Sequence, residues 1–132
     1  MPTKRIQITL IPSLLFLIFN FSFFISSAQG PKQWEKTGDL SFSESDFYGA
    51  SLYYKNALNM DSTSLSLNYK YAESLRLYNE YSKAEVAYQK IVDIDTEEKY
   101  PESVFWLATM QKFNGKYDDA SANFRKFNRA YK

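Results

Sequence analysis

After its first thirty residues the chain places apolar side chains at helical spacing, and the alternation expected of strands does not occur. Tyr69, Ala72, Leu75, Arg76 and Tyr78 follow one helical period. A break comes at Asn79-Glu80, and Ala84, Ala87, Tyr88 and Ile91 then follow a second period. Residues three and four apart share one face of a helix, so the pattern predicts two short helices joined by a tight turn. Ser43 to Asp46 and Asn114-Gly115 supply comparable breaks, the latter suited to a helix end with positive φ. Asp61-Ser62-Thr63-Ser64 offers side-chain oxygens to cap a following helix, and Asp95-Thr96 opens a longer connection.

The beginning of the chain differs in kind. Lys4 and Arg5 precede an apolar stretch from Ile6 to Ile25, and Ser26-Ser27-Ala28 puts small residues after it. Basic, apolar and small-residue regions in that order predict an export signal, residues 1–28, cut between Ala28 and Gln29. A retained membrane anchor is the alternative, because the apolar run approaches the ~20 residues that span a bilayer. Pro12 and Asn20 weaken that alternative. A buried core helix ranks last, since a continuous apolar run lacks the stripe of a surface helix.

The helix pairs repeat. Ala50, Tyr54 and Asp61 recur as Ala84, Tyr88 and Asp95, each 34 residues on, and Ala120 and Phe124 continue the series after a further 36. The two additional residues are placed between Glu97 and Tyr100. In that frame Pro31 and Pro101 both open a copy, where proline suits the first turn of a helix. The predicted copies run at about 31–64, 65–98 and 101–132 within a domain spanning 29–132.

A helix pair of this length with small residues at its crossing points resembles the tetratricopeptide repeat (TPR), over residues 31–132. In copy one, Trp34, Gly38, Ala50, Tyr54, Ala57 and Asp61 fall on the family's signature positions, while Thr37, Ser41 and Ser62 depart from them. Copy two matches at Ala72, Ala84 and Tyr88 but carries Asn68, Leu75 and Ile91. Copy three has Val104, Leu107, Ala108, Ala120, Phe124 and Phe127. The resemblance implies an all-α fold, a right-handed α-solenoid of about three helix-turn-helix repeats. Leader and repeats together resemble the N-terminal region of exported bacterial envelope proteins with a C-terminal domain similar to outer-membrane protein A. That resemblance implies the periplasm, or the periplasmic side of the outer membrane, as the location.

Solenoids hold extended peptides or helices on a concave face lined by the first helix of each pair. Carried over by register, the groove positions are Lys32, Glu35, Asp39 and Phe42, then Tyr69, Glu73 and Arg76, then Glu102, Phe105, Thr109 and Lys112. Some members grip a partner's terminal carboxylate with lysines and asparagines. Glu35, Tyr69 and Phe105 stand in one such row here and do not support that activity. Phe124, Phe127 and Tyr131 lie on the last helix with nothing after it to cover them, which suggests a fragment of a longer protein, a face covered by another chain, or self-association.

Charge and composition narrow the chemistry. The chain carries 16 basic and 15 acidic residues, two of the basic ones in the leader, so the remainder has a formal charge of −1. A near-neutral body draws neither nucleic acid nor an anionic membrane. Cys and His are absent, which removes disulfides, thiol nucleophiles, soft metal ligands and the usual proton shuttles. No nucleophile elbow, phosphate loop or zinc motif occurs, so neither an enzyme nor a cofactor is expected. Aromatics make up 18% of the chain. Tyr53, Tyr54, Tyr69, Tyr71, Tyr78, Tyr81 and Tyr88 could stack on bases or sugars, but core packing explains most of them. Asp93-Asp95, Glu97-Glu98 and Asp118-Asp119 lack the ligand-rich loop of a calcium hand, and no metal is assigned. A carboxylate-dependent glycan enzyme would need two carboxylates facing each other across a cleft.

Overall fold

A computed structural model of the chain describes residues 30–131, and the predicted leader lies outside them. Six helices follow one another: α1 (Pro31–Ser43), α2 (Phe47–Met60), α3 (Leu65–Leu77), α4 (Tyr81–Ile94), α5 (Ser103–Phe113) and α6 (Tyr117–Ala130). Among the described residues there is no strand. Each helix packs principally on the one before and the one after it, the nearest-neighbour stacking of an all-α solenoid.

The turn inside each pair is built the same way three times. Ser45, Asn79 and Gly115 occupy one register position, and all three have positive φ, at 63°, 67° and 78°. The left-handed residue reverses the chain tightly after the first helix. Its cost for a residue with a Cβ is ~1–2 kcal/mol, so Gly115 and Asn79 suit it better than Ser45. Asp46 and Ser64 cap the helices that follow them, accepting from the N–H groups of Gly49 (2.9 Å) and Leu67 (3.4 Å). Asp118 and Asp119 stand in the first turn of α6, where a negative charge complements the helix dipole. Pro31 opens α1, but Pro101 lies two residues ahead of α5. It belongs instead to a turn in which Ser103 N–H donates to the Tyr100 carbonyl at 3.0 Å.

The core has two parts. Ala50, Tyr54, Ala57 and Leu67 form one, with Trp34 and Phe42 against it. Ala72, Leu75, Ala84, Tyr88, Ile91, Leu107 and Met110 belong to the other, and Tyr71 packs on both. The small residues are small for a reason: a Cβ on Gly38 would come within 2.6 Å of the Tyr54 ring. Ala72 and Ala108 take its place in the next two pairs and are fully buried. Asn68, where copy one has Trp34, is also buried, and its amide donates to the carbonyls of Ser62 (3.1 Å) and Ser64 (2.7 Å). It ties down the α2–α3 connection instead of filling a hydrophobic gap.

Candidate functional site

The first helices of the first two pairs and the α4–α5 connection border a groove of about 460 Å³. Asp39 and Phe42 line it from α1, Tyr69, Lys70 and Glu73 from α3, and Tyr100 from the connection. Beneath it lie two hydrogen bonds of one design. The buried Tyr54 hydroxyl donates to Asp39 Oδ1 at 2.7 Å, and the buried Tyr88 hydroxyl donates to Glu73 Oε1. In the first two pairs a tyrosine of the second helix therefore fixes a carboxylate of the first, 15 residues earlier. Burial, followed by the hydrogen bond to the carboxylate, pushes both phenols well above the ordinary tyrosine range. They stay protonated and act as the donors.

The cations of the groove are held just as firmly. Lys70 Nζ lies 2.7 Å from Glu35 Oε1 and 2.8 and 3.0 Å from the two oxygens of Asp39. Burial opposes its charge, but these hydrogen bonds outweigh burial and hold its pKa above the usual lysine value. Arg76 grips Glu73 through Nη2 (2.6 Å) and Nε (3.1 Å) and lays its guanidinium on the Trp106 ring, 3.9 Å from the centroid. Its pKa is likewise raised, burial being outweighed by Glu73. Each cation joins consecutive pairs: Lys70 ties α3 to α1, and Arg76 ties α3 to α5. Such contacts set the spacing of the groove's walls as well as its charge.

The insertion in the α4–α5 connection shapes the groove directly. Asp95 accepts from the N–H groups of Lys99 (3.0 Å) and Tyr100 (2.7 Å), which folds the added residues back on the end of α4. Tyr100 then stacks on Tyr69, with centroids 4.3 Å apart and planes 20° from parallel. Burial first, and then the neighbouring carboxylates of Glu102 and Glu73, raise the Tyr69 pKa, partly offset by Arg76.

Of the residues expected to line the groove, Asp39, Phe42, Tyr69 and Glu73 meet in it, with Glu35 and Arg76 bound to its lining and Glu102 beside Tyr69. The others lie elsewhere. Lys32 is exposed on the first turn of α1, and Lys112 is exposed near the end of α5 beside Tyr117 and Phe124. Thr109 turns its hydroxyl back to the Phe105 carbonyl, at 2.9 Å. Phe105 packs edge-on against Phe124 (5.5 Å) and near Phe127 (5.6 Å) on the adjoining helix α6. Phe127 in turn contacts Tyr131, whose hydroxyl donates to Glu98 at 3.3 Å. Lys70, Tyr54 and Tyr100 were not anticipated as groove residues. The repeated separation of 15 residues between Tyr54 and Asp39 and between Tyr88 and Glu73 was a readable signal for the first kind of contact.

The carboxylate pairs singled out in the sequence have structural occupations. Asp95 holds the connection, Asp93 accepts from Gln89 (2.8 Å), Glu97 pairs with Lys99 (2.9 Å) and Glu98 accepts from Tyr131. Among the described residues no group of three or more carboxylates gathers as a metal site would require.

Comparison with known proteins agrees with the architecture. No protein-family model matches the sequence, and the search of curated proteins finds no relative. The structure is similar to the Arabidopsis OM64 TPR domain, with a TM-score of 0.64 and 17% identity over 74% of this chain and 79% of that one. It is also similar to the second TPR domain of Spaghetti (RPAP3) bound to the HSP90 peptide SRMEEVD. There the TM-score is 0.65 and identity 20%, over 75% of this chain and 90% of that one. At these identities the likeness shows the fold: three helix pairs stacked as in a TPR domain.

Proposed function

We propose that this chain is a non-enzymatic protein–protein interaction module that holds a segment of a partner in the groove between α1, α3 and the α4–α5 connection. The carrying observation is the groove itself: about 460 Å³ of aromatic-walled space whose polar groups are already fixed by one another. Preorganised walls reduce the ordering cost that binding must overcome. A neighbour of the same fold carries a bound peptide, which supports this use of the architecture. The further proposal is that the module is exported and acts as a scaffold in a bacterial envelope, within a longer peptidoglycan-tethered protein. Its support is the basic, apolar and small-residue order of residues 1–28 and the resemblance of leader and repeats to envelope proteins.

Site-specific photocrosslinking in cells tests both parts. A photoreactive residue at Ser66, on the groove, is expected to trap a discrete protein in the envelope fraction, and one at the exposed Val86 is not. Equal trapping at both positions, or none at Ser66, would sink the groove. A chain found outside the envelope fraction would remove the location and leave the groove standing.

A second reading has its own observation. Tyr117 is 68% exposed beside the half-buried Phe124, and Phe127 and Tyr131 continue the α6 stripe, an apolar face on which a second copy could seat α6. Sedimentation showing a monomer at every concentration would end it.

A further inference from the structure

Carboxylates outnumber cations around the groove. Glu35, Asp39, Glu73 and Glu102 face or flank it, against Lys70 and Arg76, a formal balance of −2. Both cations are already engaged, Lys70 with every hydrogen it has and Arg76 along one edge and one face. The three contacts of Lys70 Nζ, to Glu35 Oε1 and to both oxygens of Asp39, account for all three ammonium hydrogens. Arg76 spends its Nε and Nη2 edge on Glu73, while its flat face is covered by Trp106. At Lys70 an incoming carboxylate would have to break an ion pair and leave a partly buried acid uncompensated, and at Arg76 it would share the guanidinium with the Glu73 carboxylate already bound there.

An incoming cation meets the opposite situation. Among the described residues Glu102 makes no ion pair, and Asp39 and Glu73 have further lone pairs beside those their partners use. Next to these carboxylates stand the faces of Phe42, Tyr69 and Tyr100, surfaces that favour both apolar contact and a cation placed over a ring.

We infer that the groove selects a partner segment carrying a Lys or Arg next to an aromatic or aliphatic residue, and that it rejects acidic segments. The cation sits by Glu73 and Glu102, the two carboxylates beside Tyr69, and its apolar neighbour lies on the Tyr69–Tyr100 stack. The inference rests on the proposed use of the groove as a peptide-binding surface. It gives this chain the opposite charge preference to that suggested by SRMEEVD, the acidic peptide bound by the RPAP3 domain.

Panning a display library of random linear peptides against the full chain tests it, with recovered peptides measured by fluorescence anisotropy against the wild type, Glu102→Gln and Tyr69→Ala. The expected peptides are rich in Lys or Arg beside aromatic residues and bind more weakly as salt is raised from about 0.05 to about 0.5 M. Glu102→Gln should weaken them roughly three- to five-fold, the effect of one partly exposed charge pair, with helical content unchanged. Recovery of acidic peptides, or SRMEEVD binding as tightly as the recovered peptides, overturns the charge preference and leaves the groove reading intact. Recovery of no peptide, or of peptides indifferent to both substitutions, removes the groove reading and the preference with it.

Discussion

The first two helix pairs and the third use the same backbone for different ends. In pairs one and two a buried tyrosine, Tyr54 or Tyr88, hydrogen-bonds to a carboxylate on the facing helix, Asp39 or Glu73. In pair three the corresponding residues are Phe124 and Thr109, so both halves of the contact are missing together. Phe124 is only half-buried, whereas Tyr54 and Tyr88 are at most 2% exposed, because α3 and α5 cover the earlier pairs. The repeat is therefore uniform in its backbone crossings and graded in its chemistry. Two pairs hold charge in a defined groove, and the third presents aromatic surface.

The largest expected break in this comparison is the loss of a buried tyrosine. Tyr88→Ala should cost about 3–5 kcal/mol, and Phe124→Ala, starting from a half-covered ring, about 1–2 kcal/mol. Guanidinium unfolding of the two variants measures the gap, and equal losses would show that the third pair is as well packed as the second.

The phenols give the comparison a pH signature. Their folded pKa values lie above the unfolded value near 10, so the stabilisation is fully present below about pH 10 and is lost as pH rises toward the folded values. Unfolding between about pH 9 and pH 11 should show stability falling, by up to roughly 1.4 kcal/mol per pH unit for each of these two tyrosines. A Tyr54→Phe, Tyr88→Phe protein should start less stable at pH 9 and decline less steeply. An equally steep decline would place the titration elsewhere.

Gly38→Ala should destabilise by about 1–2 kcal/mol, because the steric demand against the Tyr54 ring exceeds the ~1 kcal/mol that alanine contributes in a helix. A rise in melting temperature would mean that the ring moves aside freely. Rebuilding the missing contact sharpens the contrast further. Thr109→Asp with Phe124→Tyr should show a favourable coupling of about 0.5–1.5 kcal/mol in a double-mutant cycle, and zero coupling would show that the third pair cannot bring the two groups together. The smallest effect is expected at the surface. Lys83, 65% exposed and 3.2 Å from Glu80, should change stability by less than about 0.5 kcal/mol on Lys83→Met in the same unfolding experiment.

Much of the fold was legible residue by residue. The recurrence of Ala50, Tyr54 and Asp61 at Ala84, Tyr88 and Asp95 marked the pairs, and the shift of 36 to Ala120 and Phe124 located the longer connection. Asn114-Gly115 announced a left-handed helix end, and φ at Gly115 is 78°. The same conformation at Ser45 was hidden, since serine favours it little and is forced into it by its place in the repeat. Half of the groove was hidden in another way. Register placed Asp39, Phe42, Tyr69 and Glu73 on the first helices, but it could not show that Phe105 would lean onto α6 or that Tyr100 would fold over Tyr69.

The sequence by itself determined the helices, their pairing and the small residues at their crossings, because these depend on local periodicity and on sizes that recur at fixed intervals. Only the tertiary structure decided how the groove is charged. Lys70 finds Glu35 and Asp39 across 35 and 31 residues, and Arg76 finds Trp106 on the first helix of the next pair. Long side chains choose among several neighbours at nearly equal energy, and that choice is made by the curvature of the stack, which no single helix encodes.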